Sequence, residues 1–204
     1  MGIYTDQVLP RILDVTCGAR AQARLRRRVC QGLRGDVVEL GFGSGHNVPF
    51  YPATVTSVAA IEPSDVAWRL ASKRLEVGGL LIRRAGLDGQ SLPFGDATFD
   101  TALSTWTLCT IPDPGAAVRE VRRVLRPGGT LHFVEHGLAP DEQVRRWQRR
   151  LDPLQRRLAG GCHLTRRIRD LVETEGFRIV AIAEFYEPGL PKTFGAFSVG
   201  VATI

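Results

Sequence analysis

The segment Val37-Val38-Glu39-Leu40-Gly41-Phe42-Gly43-Ser44-Gly45 runs a short apolar strand into three glycines at alternate positions, and a helix-compatible stretch follows. Alternate glycines let the chain turn sharply and bring bare backbone against a ligand, because no Cβ blocks the approach. Glu39 adds a carboxylate to the turn. It would repel a pyrophosphate and suits a cationic ligand instead. A glycine loop alone is weak evidence, so the pattern on either side of it has to carry the reading.

Downstream of Gly35, strand and helix signals alternate. Val37–Leu40 precedes a short helix near His46–Tyr51, and Val55–Ile61 reads as the second strand. Asp65–Val77 reads as a helix with Ser64 as N-cap and Gly78-Gly79 as its stop. Leu80–Arg84 is a third strand and Thr101–Thr105 a fourth. Asp113–Leu125 is a helix ended by Arg126-Pro127-Gly128-Gly129, and Thr130–Glu135 is a fifth strand. Such alternation requires a mostly parallel sheet with right-handed crossovers and helices on both faces. Ligands then sit beyond the carboxyl ends of the strands, so the loops after Leu40, Ile61, Leu87, Thr105 and Glu135 converge on one crevice.

Residues 5–34 read as two helices broken at Cys17-Gly18, a helical cap over residues 1–34. Residues 35–135 make the core, and 136–204 supply further helices and an antiparallel pair. In that last part Asp141–Leu158 is helical but interrupted at Pro153, and Leu164–Glu175 is a helix. Arg178–Glu184 and Phe194–Val201 alternate as two antiparallel strands. The expectation is one α/β domain with seven strands.

Composition narrows the class. Only two of the 27 basic residues are lysines, Lys73 and Lys192, a skew that suggests a G+C-rich, bacterial genome. The net charge of +6 is spread over several helices, without the interleaved basic and aromatic surface that stacks bases, so no nucleic-acid partner is expected. No apolar run approaches the roughly 20 residues of a membrane span. The first residues lack the basic start and apolar core of a signal peptide, so the expectation is a cytoplasmic protein. Cys17, Cys30, Cys109 and Cys162 show no CxxC pairing, and thiols rather than bridges or a metal site are expected.

Glu62 ends the second strand, where a carboxylate can accept both hydroxyls of a ribose, with Pro63 opening the loop after it. That spacing fits a nicotinamide dinucleotide as well. Asp88, after the third strand, can accept an adenine amino group, and the Gly89 N–H can pair with the ring. Together with Leu92-Pro93-Phe94, Phe99-Asp100 and Leu125-Arg126-Pro127-Gly128-Gly129, these residues resemble the type 11 pattern of class I S-adenosylmethionine (SAM) dependent methyltransferases. The resemblance covers residues 35–135. Phe42 and Ser44 vary the glycine loop, and Gly89 stands where Ala is usual. It implies a Rossmann-like fold and SAM as cofactor, released as S-adenosylhomocysteine. Glu39, Gly41, Gly43, Gly45, Glu62, Pro63, Asp88, Gly89, Thr105 and Trp106 would be the residues that hold it.

Beyond the core, Trp106-Thr107-Leu108-Cys109-Thr110, Phe133-Val134-Glu135-His136, Trp147-Gln148-Arg149-Arg150-Leu151-Asp152-Pro153 and Gly161-Cys162-His163-Leu164-Thr165-Arg166 resemble the methyltransferase-like seven group of alkyl-thiol methyltransferases. That group carries an apolar N-terminal anchor. Residues 1–34 hold no such run, so the resemblance is not extended to membrane residence. It implies a small hydrophobic acceptor, a thiol first. A phospholipid or secondary-metabolite N- or O-methyltransferase is the alternative, and an NAD-binding oxidoreductase a distant one, lacking a Tyr-x-x-x-Lys pair. His136 and His163 are the candidate catalytic groups, and Tyr4, Cys109 and Trp147 the candidate acceptor contacts. Cys109 and Cys162 read as small buried hydrophobes, since direct displacement needs no enzyme nucleophile. Val144, Trp147 and Leu151 share a helix face, which suits docking or a weak peripheral membrane contact. A monomer or homodimer is expected.

Overall fold

Val37, Val38 and Leu40 are all at most 1% exposed, because their strand lies mid-sheet with both faces covered. Near-continuous apolar runs are what such strands need. The structure, a computed structural model, describes residues 2–18 and 20–204. A π-helical turn at Tyr4–Val8 leads into α1 (Leu9–Cys17), and α2 spans Arg20–Cys30. There follow β1 (Gly35–Leu40), a 3-10 turn at Val48–Phe50, β2 (Val55–Ile61), α3 (Asp65–Gly78) and β3 (Leu81–Gly86). The second half comprises β4 (Phe99–Thr105), α4 (Pro114–Val124), β5 (Leu125–His136), α5 (Glu142–Leu158), α6 (Ile168–Thr174), β6 (Arg178–Tyr186) and β7 (Ala196–Thr203).

The strand order is β3-β2-β1-β4-β5-β7-β6. Every pairing from β3 to β5 is parallel, and β7 runs antiparallel to both β5 and β6. This is the seven-stranded Rossmann-like sheet with an antiparallel C-terminal pair that the sequence implies. The winding reverses between β1 and β4, which places the ligand crevice above those two strands. Alternation along β1 divides the core. Val37 packs with Leu25, Val29 and Leu33 beneath α2, while Val38 and Leu40 meet Val118, Val121 and Ile168 of α4 and α6.

Ser64 accepts from the Ala67 N–H at 3.1 Å and Gly79 closes α3 at φ +60°, as expected from their residue types. Most strand ends shift by one or two residues from expectation, and three differences are larger. α5 runs unbroken through Pro153. The carbonyl that loses its donor there, that of Arg149, lies on an exposed stretch where water can replace the bond. α6 begins at Ile168, not Leu164, because residues 164–167 are held in tertiary bonds. The Leu164 N–H donates to Asp152 at 2.6 Å, and the Leu138 N–H to the Arg166 carbonyl at 2.9 Å. β5 begins at Leu125, paired with Phe99, and Arg126–Gly129 bulge out before pairing resumes between Thr130 and Thr101.

Candidate active site

The loops after β1 to β4, with His136 at the end of β5, enclose a cavity of about 810 Å³. That lies high in the range of small-molecule sites and leaves room for an acceptor beside a nucleoside. α1 and α2 cover one side, through residues that include Leu13, Cys17, Gln22 and Arg26. The Asp14 carboxylate binds the cap to the glycine loop, 3.0 Å from His46 Nε2 and 3.2 Å from Arg74 Nη1, while Arg74 also donates to the Ser44 carbonyl. Burial and the Arg74 charge hold the His46 pKa below its usual value.

Glu62 is the anchor of one end. It is 5% exposed, and each of its oxygens accepts one backbone N–H, Gly43 at 2.6 Å and Ser64 at 2.7 Å. One lone pair per oxygen stays available, which is what a vicinal diol requires. Burial pushes this carboxyl up, opposed by those N–H groups and by Arg84. Gly43, at φ +59°, lines the cavity, and a Cβ there would meet only the Gly41 carbonyl at 3.9 Å. The fold has room for that carbon, but a ligand lying on the loop does not. Asp88 accepts from the N–H and side chain of Gln90 at 2.8 and 3.0 Å, which fixes the loop on which Gly89 also faces the cavity. A Cβ at Gly89 would stand 3.0 Å from Ile111 Cδ1, a tight approach to the tip of that side chain.

Pro63, Thr105 and Trp106 are on the wall as well. Trp106 adopts φ +55°, a conformation that bulky residues rarely hold, and its N–H donates to Val134 at 2.8 Å. Gly41 is also on the wall and keeps clear of Thr107, where a Cβ would collide.

Other expected residues sit elsewhere. Glu39 does not reach the cavity, because strand alternation turns it to the α2 face. It is fully buried, accepts from Asn47 Nδ2 at 2.7 Å and from the Tyr51 hydroxyl, and burial pushes its pKa up to about 7. Gly45 packs against Phe42 and Ala71, away from the cavity. Trp147 is 55% exposed on the outer face of α5, whose buried residues are Gln148 and Asp152. Gln148 bonds Ala139 and Gly137, so hydrogen bonding rather than the Trp147 face docks this helix. His163 lies off the wall with Nδ1 3.5 Å from Asp152. The Tyr4 hydroxyl donates to the Leu158 carbonyl at 2.6 Å, tying the first turn to the end of α5 beside the cavity. Cys109 is wholly buried behind the wall, whereas His136 and Cys162 are on it, and the three side chains meet. Glu135 is not a partner of His136. It accepts from Ser104 and from the Thr107 and Cys109 N–H groups, which fixes the loop after β4.

Two wall residues had no signal in the sequence. Arg26 is 6% exposed, donates to Asn47 at 2.7 Å, and lies 4.8 Å from the Trp106 ring centroid. Its buried Nε and the Gln22 Oε1 have no partner among the described residues. Arg26 looks like any member of an arginine-rich helix until the fold turns it inward.

Residues 38–133 match the family model described as a methyltransferase domain. This segment is a class I methyltransferase domain of the type 11 family, and S-adenosylmethionine is the cofactor of that class. Rat thiol S-methyltransferase TMT1B is 34% identical over 64% of the chain and 54% of its own length, and human TMT1A 31% over 74% and 64%. A phosphatidylethanolamine N-methyltransferase of Cereibacter sphaeroides is 31% identical over 61% of the chain and 63% of its own. The chain thus spans between about half and two thirds of the length of these curated relatives. A SAM-dependent methyltransferase of Thermotoga maritima superposes with TM-score 0.67 at 23% identity over 95% of this chain and 93% of that one. The SpnF cyclase does so with TM-score 0.67 at 19% identity over 89% and 80%. Both show the fold alone.

The cavity fits the cofactor by chemistry. Glu62 suits a ribose and bare Gly43 a close-lying nucleoside. The unpartnered Arg26 Nε and Gln22 Oε1 suit the carboxylate and ammonium of an amino acid. Among the described residues no helix is long and apolar enough to cross a membrane.

Proposed function

We propose that the protein transfers the methyl group of SAM to a small hydrophobic acceptor, a thiol first. The reading rests on one observation. A single cavity joins the Glu62–Gly43 end to an apolar end walled by Leu158, Leu190 and Phe197, where His136 lies against Phe197. Thiol S-methyltransferases among the relatives support the choice of acceptor.

Methyl transfer is an in-line displacement at carbon. The residues here have to bind, orient and exclude water. Glu62, Asp88 and Gly89 would orient the nucleoside, and Arg26 and Gln22 the amino-acid end. The apolar end would hold the acceptor sulfur toward the methyl group. A thiol already ionises in part near neutral pH, so little base is needed, and turnover should follow the thiolate present at the site. His136, its ring centroid 4.7 Å from that of Phe197 and tilted 53° to it, would act at the acceptor end.

Calorimetric titration with S-adenosylhomocysteine and NAD, and turnover on a panel of thiols, phenols and amines, test the reading. His136→Ala should lower turnover severalfold while S-adenosylhomocysteine affinity stays unchanged. Methylation of phenols or lipid amines but not thiols would end the thiol assignment and leave methyl transfer standing. The Cereibacter relative gives the lipid amine its place as second reading, and the exposed Trp147, Leu154 and Leu158 would then supply a weak peripheral contact with lipid. A small-molecule acceptor, a monomeric or homodimeric state and a cytoplasmic location complete the proposal.

A further inference from the structure

Three soft or borderline ligands from distant parts of the chain converge at the acceptor end. Cys109 Sγ lies 3.7 Å from Cys162 Sγ, and His136 Nδ1 lies 3.8 Å from the first sulfur and 3.4 Å from the second. A tetrahedral zinc ion, with bonds of about 2.3 Å to sulfur and about 2.0–2.1 Å to nitrogen, sets two sulfurs about 3.8 Å apart and sulfur and nitrogen about 3.5 Å apart. The observed edges match that figure. A disulfide would need about 2.05 Å between the sulfurs.

The arrangement is held from outside the triad. Glu135 accepts the Cys109 N–H at 3.0 Å, and the His163 N–H donates to the Cys109 carbonyl at 2.8 Å, which binds the Cys162 segment to the Cys109 loop. The Phe197 ring packs against the imidazole, centroid to centroid at 4.7 Å. Two of the ligands, His136 and Cys162, are on the cavity wall, while Cys109 is behind it. Three protein ligands at a cavity wall are the arrangement of a catalytic zinc site, which keeps its fourth position for water or substrate.

We propose that Cys109, His136 and Cys162 bind one zinc ion whose fourth position takes the acceptor thiol. The acceptor half of this inference rests on the thiol reading above, and the metal half does not. Both cysteines lose their protons when the metal binds. The acceptor RS–H replaces the bound water and releases its proton to solvent. A sulfur lone pair of the bound thiolate then forms the new bond to the methyl carbon. The sulfonium–methyl bond breaks with its electron pair going to the cofactor sulfur, giving S-adenosylhomocysteine. The neutral thioether is a poor ligand and leaves, and water returns.

The test is metal binding by the reduced full chain. Zinc should bind at one ion per chain, and cobalt(II) in its place should give intense sulfur-to-metal absorption and tetrahedral d–d bands. Cys109→Ala and Cys162→Ala should each weaken cobalt binding at least tenfold while S-adenosylhomocysteine still binds, which reports an intact fold. Substoichiometric metal in the wild type, or unchanged binding in the double variant, would overturn the site. An alkyl thiol should shift the cobalt spectrum. If thiols are methylated and the spectrum does not move, the acceptor half is overturned. If the metal binds and only phenols or amines are methylated, the thiol reading fails and the metal site stands.

Discussion

The two ends of the cavity are built in opposite ways. At the Glu62 end the ligand-facing groups come from short contiguous loops at consecutive strand ends, and much of the surface is backbone. At the His136 end the wall is side chains drawn from α1, the loop after β4, the end of α5 and β7. Local backbone conformation specifies the first, and long-range packing specifies the second. Substitutions can therefore remodel the acceptor end while the other end stays intact. Relatives named for thiols and for a phospholipid amine match this chain at nearly equal identity, which is the outcome such a division allows.

Gly43→Val is the strongest way to break the comparison. A branched side chain at φ +59° enters the face where the ligand must lie, although the protein itself leaves that space open. S-adenosylhomocysteine binding should fall by at least about 4 kcal/mol, roughly a thousandfold. The left-handed conformation costs the fold only about 1–2 kcal/mol. Titration calorimetry beside a melting curve separates the two effects. Wild-type affinity would mean the cofactor lies elsewhere. Glu62→Ala comes next, since it removes charge-assisted hydrogen bonds worth roughly 1.5–3 kcal/mol each. It also strips the Gly43 and Ser64 N–H groups of their acceptor. Affinity should drop at least about 10- to 100-fold, the worth of one such bond, and an unchanged value would sink the ribose assignment.

The same division explains what the sequence disclosed. The sheet, its winding and the Gly43, Glu62, Asp88 and Gly89 positions were legible because turn residues and period-two alternation are local. Glu39 adjoins the glycine loop in the chain but not in space, because alternation from Val37 sends its carboxylate to the α2 face. Hydrophobic spacing selects the apolar Trp147, whereas the buried member of that turn is Gln148, satisfied by Gly137 and Ala139. Cys109 and Cys162 read as buried, and both are. Their meeting with His136 joins segments 26 and 53 residues apart, which no local pattern reports.

Glu39 offers a way to sharpen the comparison through stability. Its folded pKa of about 7 lies above its ordinary value of 4.5, so the folded state retains a proton that the unfolded state loses. The stability tied to that proton is full below about pH 4.5 and is lost as pH rises through 7, a change of roughly 3 kcal/mol at most. Glu39→Gln stays neutral throughout. Urea melts should show the variant gaining on wild type between pH 4.5 and 7 and holding a constant difference above that. A difference independent of pH would mean that Glu39 is ionised in the folded protein across the range. Affinity for S-adenosylhomocysteine should change little, because Glu39 supports the loop from below without touching the cavity.

Trp147→Ala should have the smallest effect. The indole is 55% exposed on α5, with the Arg150 guanidinium 5.3 Å from its ring centroid, and α5 is docked through Gln148 on another face. Exposed substitutions of this kind usually stay within about 0.5 kcal/mol. Stability, S-adenosylhomocysteine affinity and the KM for a short alkyl thiol should all match wild type. The informative departure is a raised acceptor KM with unchanged S-adenosylhomocysteine affinity, which would extend the acceptor end onto the outer face of α5. Repeating the assay with a long-chain thiol, in solution and in vesicles, shows whether such an extension serves the acceptor directly. An effect confined to vesicles would place it in lipid contact, and an effect in solution would return Trp147 to the acceptor path.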